Sequence, residues 1–302
     1  MLRIYLIKPI GFSNKNVAQA NPYLRSDADS VGAHYLAISD PDAFEMQEFA
    51  GIDIFEPGSV IEREVDWNRL FHILLLTGAA FGISMGLTVI LMIPLMANGL
   101  IVVDLVTGNI WLDPLAIIVT TSASIGFIIP PIWYVRRNGY ALSSLGIKNM
   151  KSIKEVLLGI AAAGAMLLAN FLVSLLTFFA FGLPDIDVGF FVVSDLFELA
   201  LWVILMFAVV GFSEELLFRG FLQRRMEMYF RQRRSSPGLY ALIITSFIFA
   251  IIHLDLFGLP TRFVLGIILG YLSQRRNYSI MAPTIAHGFY NSAAVALVFL
   301  GF

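Results

Sequence analysis

Val209-Val210-Gly211-Phe212-Ser213-Glu214-Glu215-Leu216-Leu217-Phe218-Arg219-Gly220 decides how this chain is read. It closes an otherwise uncharged apolar run that begins near Leu199. A carboxylate at membrane depth costs about 2.5–3.5 kcal/mol on insertion scales, so two in succession need a compensating role. Glu215 and Arg219 are four residues apart with the acid first, the favoured order for a helical ion pair. That division leaves Glu214 free for chemistry.

The surroundings of this stretch are those of a membrane protein. Of 302 residues, 58% are hydrophobic and only 14% charged, with a mean hydropathy of +0.79. These values predict an all-α, polytopic helical bundle rather than a soluble domain. The formal net charge of −2 gives no reason to expect a nucleic-acid partner. The absence of cysteine excludes disulfides, thiolate metal sites and a cysteine nucleophile. The first residues, Met1 to Pro9, are too short and interrupted to form a cleavable signal peptide.

Residues 1–69 are polar and mildly acidic, and read as a mostly disordered extramembrane tail. The membrane domain, residues 70–302, is expected to hold about seven transmembrane helices. They fall at Leu70–Ala97, Pro114–Tyr134, Val156–Phe181, the run from Leu199, Leu239–His253, Arg262–Leu272 and Ile280–Leu300. The sixth is short enough to be re-entrant. Gly78, Gly82 and Gly86 in the first span, and Gly266 and Gly270 in the sixth, suggest close helix contacts. Gly82-Ile83-Ser84-Met85-Gly86 matches a G-x-S-x-G nucleophile elbow, but that motif needs a strand-to-helix turn. Mid-span, packing is the better reading.

Basic residues set the expected orientation. Arg136, Arg137, Lys148, Lys151, Lys154, Arg224, Arg225, Arg231, Arg233, Arg234, Arg275 and Arg276 fall on one side. The opposite loops carry Asp104, Asp113, Asp185, Asp187 and Asp255, with Arg262 the exception. The positive-inside rule puts the basic side and the N-terminus in the cytosol, in a plasma-membrane protein.

The other polar membrane residues lie at compatible depths. From the turn at Ser235-Ser236, Glu214 lies about 20 residues before and His253 about 17 after, or ~25–30 Å along an antiparallel hairpin. His287 and Asn291 share a helical face four residues apart. The spacing allows Glu214, His253, His287 and Asn291 to converge. Each has a plainer reading alone: the acidic pair at an interface, the histidines and asparagine as interhelical hydrogen-bond residues. A proton-relaying transporter is also conceivable, although no internal repeat is evident.

At these residues the sequence resembles the CAAX protease and bacteriocin-processing (Abi) family of intramembrane proteases. Three motifs carry the likeness, in order: Glu214-Glu215-Leu216-Leu217-Phe218-Arg219, Phe249-Ala250-Ile251-Ile252-His253 and His287-Gly288-Phe289-Tyr290-Asn291. It covers about residues 197–296. The resemblance implies hydrolysis of a peptide bond in membrane-associated substrates, such as lipidated CAAX-box proteins or other membrane-anchored peptides, in contact with membrane lipids. It implies that Glu214 and His253 activate water, and that His287 and Asn291 stabilise the oxyanion or help hold a metal. Glu215, Arg219 and Phe249 would shape the site. Glu214, His253 and His287 are an adequate zinc set with an open position; a metal-free glutamate mechanism is equally compatible. A non-proteolytic membrane partner or bacteriocin-immunity protein on the same fold is the alternative.

Overall fold

The computed structural model describes residues 67–104, 106–148, 152–182, 193–231 and 233–301. The expected tail, the acidic residues Asp185 and Asp187, and Lys151 lie outside the described residues. Four helices are long and apolar enough to cross a membrane: α1 (Asn68–Ala97), α2 (Pro114–Arg137), α3 (Ile153–Phe181) and α4 (Leu196–Arg231). Three shorter ones follow, α5 (Pro237–Ile251), α6 (Leu259–Arg275) and α7 (Met281–Phe299). The protein is an all-α membrane bundle. Its sheet, among the described residues, is one antiparallel hairpin, β1 (Ile101–Val103) with β2 (Ile110–Leu112), pairing Val102 with Trp111. α6 spans 17 residues, longer than the expected Arg262–Leu272.

Local chemistry explains the helix starts. Asp113 accepts a hydrogen bond from the Leu115 amide, and Pro114 occupies the first turn, where its missing N–H costs nothing. Asp195 accepts from the Glu198 amide at 2.8 Å while Glu198 Oε2 accepts from the Ser194 amide at 2.7 Å. These reciprocal bonds satisfy donors that the helix cannot. Outward faces are apolar, as lipid contact demands: Leu168, Phe171, Leu176 and Phe179 of α3 are all exposed.

The core is built around the second half of α4. Leu216, Leu217, Phe218, Phe221 and Leu222 are fully buried against Ile73 of α1, Phe127 of α2 and Phe249 of α5. On the other flank α7 lies along α3 and α4, and α5 along α6. Glycines allow the closest approaches. A Cβ on Gly220 would stand 2.1 Å from the Leu145 carbonyl oxygen, and one on Gly270 would meet Leu242 at 2.6 Å. The expected Gly266/Gly270 contact is therefore made, on α5 and α4.

Two expectations need correction. Gly78, Gly82 and Gly86 are exposed and a Cβ on any of them would meet nothing within 4 Å. The contact on α1 is made by Ser84, whose backbone lies 2.9 Å from the Cβ position of Gly126 in α2. Ser84 therefore packs and belongs to no elbow. Arg224 and Arg225 are not part of a solvated basic cluster; they are 2% and 1% exposed. Arg224 donates to the carbonyls of Ser143 and Ser144, and Arg225 to those of Gly220 and Phe221. Their guanidinium groups stack on Tyr278 and Phe221. Arg224 supplies donors to carbonyls of the short 3₁₀ turn Leu142–Leu145, and Arg225 to carbonyls about one turn back on its own helix.

Candidate active site

Glu214 and Glu215 stand in the middle of α4, where the apolar run ends but the helix continues to Arg231. They sit on a four-residue α-helical segment, Phe212–Glu215, between two π-helical stretches, Met206–Gly211 and Leu216–Gln223. Such widened turns are rare and occur mostly at functional sites, where they re-aim side chains. Nothing in the local sequence announces them.

Three contacts assemble the site around Glu215. Its Oε1 accepts from Arg219 Nη1 at 3.0 Å, the pair expected from their spacing, and from His287 Nδ1 at 2.9 Å. Arg219 also reaches the Gly266 carbonyl at 3.4 Å, tying α4 to α6. The His287 contact requires α7 to approach α4 closely. A Cβ on Gly211 would lie 3.2 Å from the Thr284 carbonyl oxygen and 3.3 Å from the Gly288 nitrogen. Gly288 in turn leaves room for the Phe207 ring, which a Cβ there would meet at 2.5 Å. The glycines beside the catalytic motifs are thus the sequence signal for this juncture.

Hydrogen-bond bookkeeping fixes both imidazoles. A backbone carbonyl only accepts, so His253 Nδ1, 2.7 Å from the Phe249 carbonyl oxygen, carries a proton. In the neutral ring its Nε2 is then an acceptor. His287 Nδ1 faces the Glu215 carboxylate and donates to it, which turns Nε2 toward Glu214 Oε2 at 3.9 Å. That carboxylate oxygen is buried without a hydrogen-bond partner among the described residues. A polar atom left in this state marks a place where a water or substrate group belongs.

Phe249 is the hub. Its ring lies 5.1 Å from the rings of Phe218 and His253 and 6.0 Å from that of His287. The Arg219 guanidinium sits 4.5 Å over it. This aromatic face screens the charged pair from lipid and links the two histidines across the gap between α5 and α7. Burial grades from Glu215 (0% exposed) and Arg219 (1%) through His287 (6%) and Glu214 (9%) to His253, which is exposed. Asn291 follows His287 by one turn of α7 and is half-buried.

Among the described residues no three His, Asp or Glu side chains are grouped closely enough to hold a metal ion. Zinc ligands at ~2.0–2.1 Å in tetrahedral array stand about 3.3 Å apart, closer than the 3.9 Å between Glu214 Oε2 and His287 Nε2. As arranged, the set Glu214, His253 and His287 does not fit a metal.

Residues 196–293 match the family model for Rce1-like type II CAAX prenyl endopeptidases. The match spans about a third of the chain, which over this segment is similar to that family. The match opens at the first residue of α4 and closes just past Asn291, so it takes in every residue of the site. That family is one of proteases, and the four long apolar helices together with this likeness point to an integral membrane protein. Neither the curated proteins nor the solved structures gave a match.

Proposed function

We propose that the protein is an intramembrane endopeptidase in which Glu214 is the general base and the attacking water is held between Glu214 and His253. The observation that carries this reading is the buried Glu214 Oε2, without a hydrogen-bond partner among the described residues and facing His287 Nε2 across 3.9 Å. In this reading His287 carries protons on both ring nitrogens, Nδ1–H donating to Glu215 and Nε2–H facing Glu214.

From it the reaction follows by side-chain chemistry. Water donates one hydrogen to Glu214 and the other to His253 Nε2. As its oxygen bonds to the scissile carbonyl carbon, Glu214 takes a proton. The His287 Nε2–H and the Asn291 amide donate to the oxyanion, the largest electrostatic demand of acyl transfer. When the C–N bond breaks, Glu214 returns the proton to the departing amine. Glu215 and Arg219 act as positioning residues, holding His287 in its donor orientation.

The substrate class that best suits the family match is the lipidated C-terminal CAAX segment of a membrane-anchored protein. The test is incubation of the purified protein in nanodiscs with two panels, prenylated CAAX peptides and unprenylated membrane-tethered peptides, with products read by mass. Cleavage of the prenylated panel is expected, unchanged by a chelator. Activity confined to the unprenylated panel would refute the CAAX assignment. Loss with the chelator, restored by zinc, would refute the side-chain mechanism, and no cleavage at all would refute the enzyme.

A further inference from the structure

Away from the site, α1 and α2 border a crevice close to the linker that follows Arg137. The crevice between them has a volume of about 590 Å³ and is lined by Arg69, His72, Leu75, Leu76, Ala79, Trp133, Tyr134, Arg137 and Asn138. Its chemistry is graded. Arg69, His72, Arg137 and Asn138 stand within a helical turn of the helix termini; Leu75, Leu76 and Ala79 continue the wall along α1 toward the middle of the membrane. Arg69 donates to the Tyr140 hydroxyl at 3.4 Å, which holds it against the crevice. Arg137 stacks on Trp133 at 5.3 Å. His72 Nδ1 is engaged by the Asn68 carbonyl at 2.8 Å, so it carries the proton and Nε2 is left to face outward. Trp133 is half-exposed, as residues of an interfacial aromatic belt are. A second crevice, of about 560 Å³, continues around Trp133 along Ile128, Ile129 and Ile132 and shares Arg137.

We infer that this crevice is a binding site for an acidic glycerophospholipid of the surrounding bilayer, the phosphate held by Arg137 and Arg69 and the acyl chains laid along Leu75, Leu76 and the isoleucines of α2. A cationic rim directly above an apolar wall matches the two halves of such a lipid and of no soluble anion. Basic pockets between membrane helices take anionic headgroups for this reason. Two arginines also give fork-shaped donors that fit phosphate oxygens. The site lies on α1 and α2, outside the family-matched segment, and the inference does not rest on the proteolytic reading. Its consequence is a lipid requirement: the headgroup clamps α1 to α2, and both pack on the α4 core that carries the glutamates.

Native mass spectrometry of the full-length detergent-purified protein tests it, using short-chain phosphatidylglycerol, phosphatidylcholine of the same chain length, and inorganic phosphate as probes. Phosphatidylglycerol should bind preferentially, and Arg137→Ala should weaken it about fivefold, the effect of one basic side chain near a membrane surface. Arg137→Lys should retain most of the binding. Arg275→Ala, an equal charge change at an exposed residue outside the crevice, should leave it unchanged. Thermal unfolding without lipid checks that the variants fold. Equal affinity for the zwitterionic lipid, equal loss in Arg275→Ala, or displacement by millimolar phosphate would each overturn the inference.

Discussion

Two buried carboxylate–guanidinium pairs, Glu215–Arg219 and Glu155–Arg276, share local chemistry and differ in surroundings. In each the glutamate is 0% exposed, one oxygen takes two donors and the other has no hydrogen-bond partner among the described residues. Glu155 Oε1 receives Arg276 Nε at 2.8 Å and Nη2 at 2.5 Å, a two-pronged grip on one oxygen that ties α3 to the end of α6. Glu215 Oε1 divides itself between Arg219 and His287, with Glu214 beside it. The first pair ends at a guanidinium 24% exposed, where water shares the charge. The second is closed on every side and passes its influence to an imidazole. An identical ion pair is a fastener in one place and part of a reactive cluster in the other, and its neighbours decide which.

The comparison is broken most forcefully at Glu215. Glu215→Ala strands a fully buried guanidinium and removes the acceptor that orients His287. The expected loss is about 3–5 kcal/mol of stability, with cleavage abolished in whatever folds, read by thermal unfolding and peptide hydrolysis together. Glu155→Ala strands a guanidinium that can reach water, so a smaller loss of about 1–3 kcal/mol is expected, and cleavage per folded molecule should match wild type. Equal activity loss in both variants would erase the distinction.

A third pair marks the lower limit of the scale. Asp255 and Arg262 meet at 2.5 Å in the loop between α5 and α6, but both are partly exposed. The Gly258 amide, with help from Arg262, holds the Asp255 carboxyl below its ordinary range. A lowered carboxylate contributes stability above its unfolded pKa of about 3.9, and that contribution is lost as pH falls through the folded value. Asp255→Asn should therefore lower the unfolding midpoint slightly at pH 6, by no more than about 1 kcal/mol. The difference should shrink on acidification below about pH 4 and vanish only once the pH is below the lowered folded value. A larger or pH-independent effect would show that exposure does not order the three pairs.

These pairs also show what a sequence discloses. Glu215–Arg219 is legible because helix geometry places residues four apart on one face. Span lengths counted from a turn put Glu214 and His253 at one depth and allow His287 to converge on them, but they do not specify the 3.9 Å approach of His287 Nε2 to Glu214 Oε2. Glu155–Arg276 links residues 121 positions apart, and no local pattern specifies it. Arg224 misled for a related reason: its charge suggests a surface, whereas the Ser143 and Ser144 carbonyls that it meets become neighbours only in the folded bundle. The glycine stripe on α1 shows the converse, since a spacing that permits close packing does not supply a partner. The π-helical turns, and Phe249 as the centre of the site rather than a motif position, emerge only from packing.

The central claim is that Glu214 activates water for peptide hydrolysis. Single-turnover cleavage of a membrane-tethered peptide in ¹⁸O-labelled water, by wild type and by Glu214→Gln at matched thermal stability, tests it most directly. Wild type should place the label in the new carboxylate, and the variant should be slower by about 10²–10⁴-fold, the usual contribution of a positioned base. A variant that cleaves within a few-fold of the wild-type rate would contradict the account.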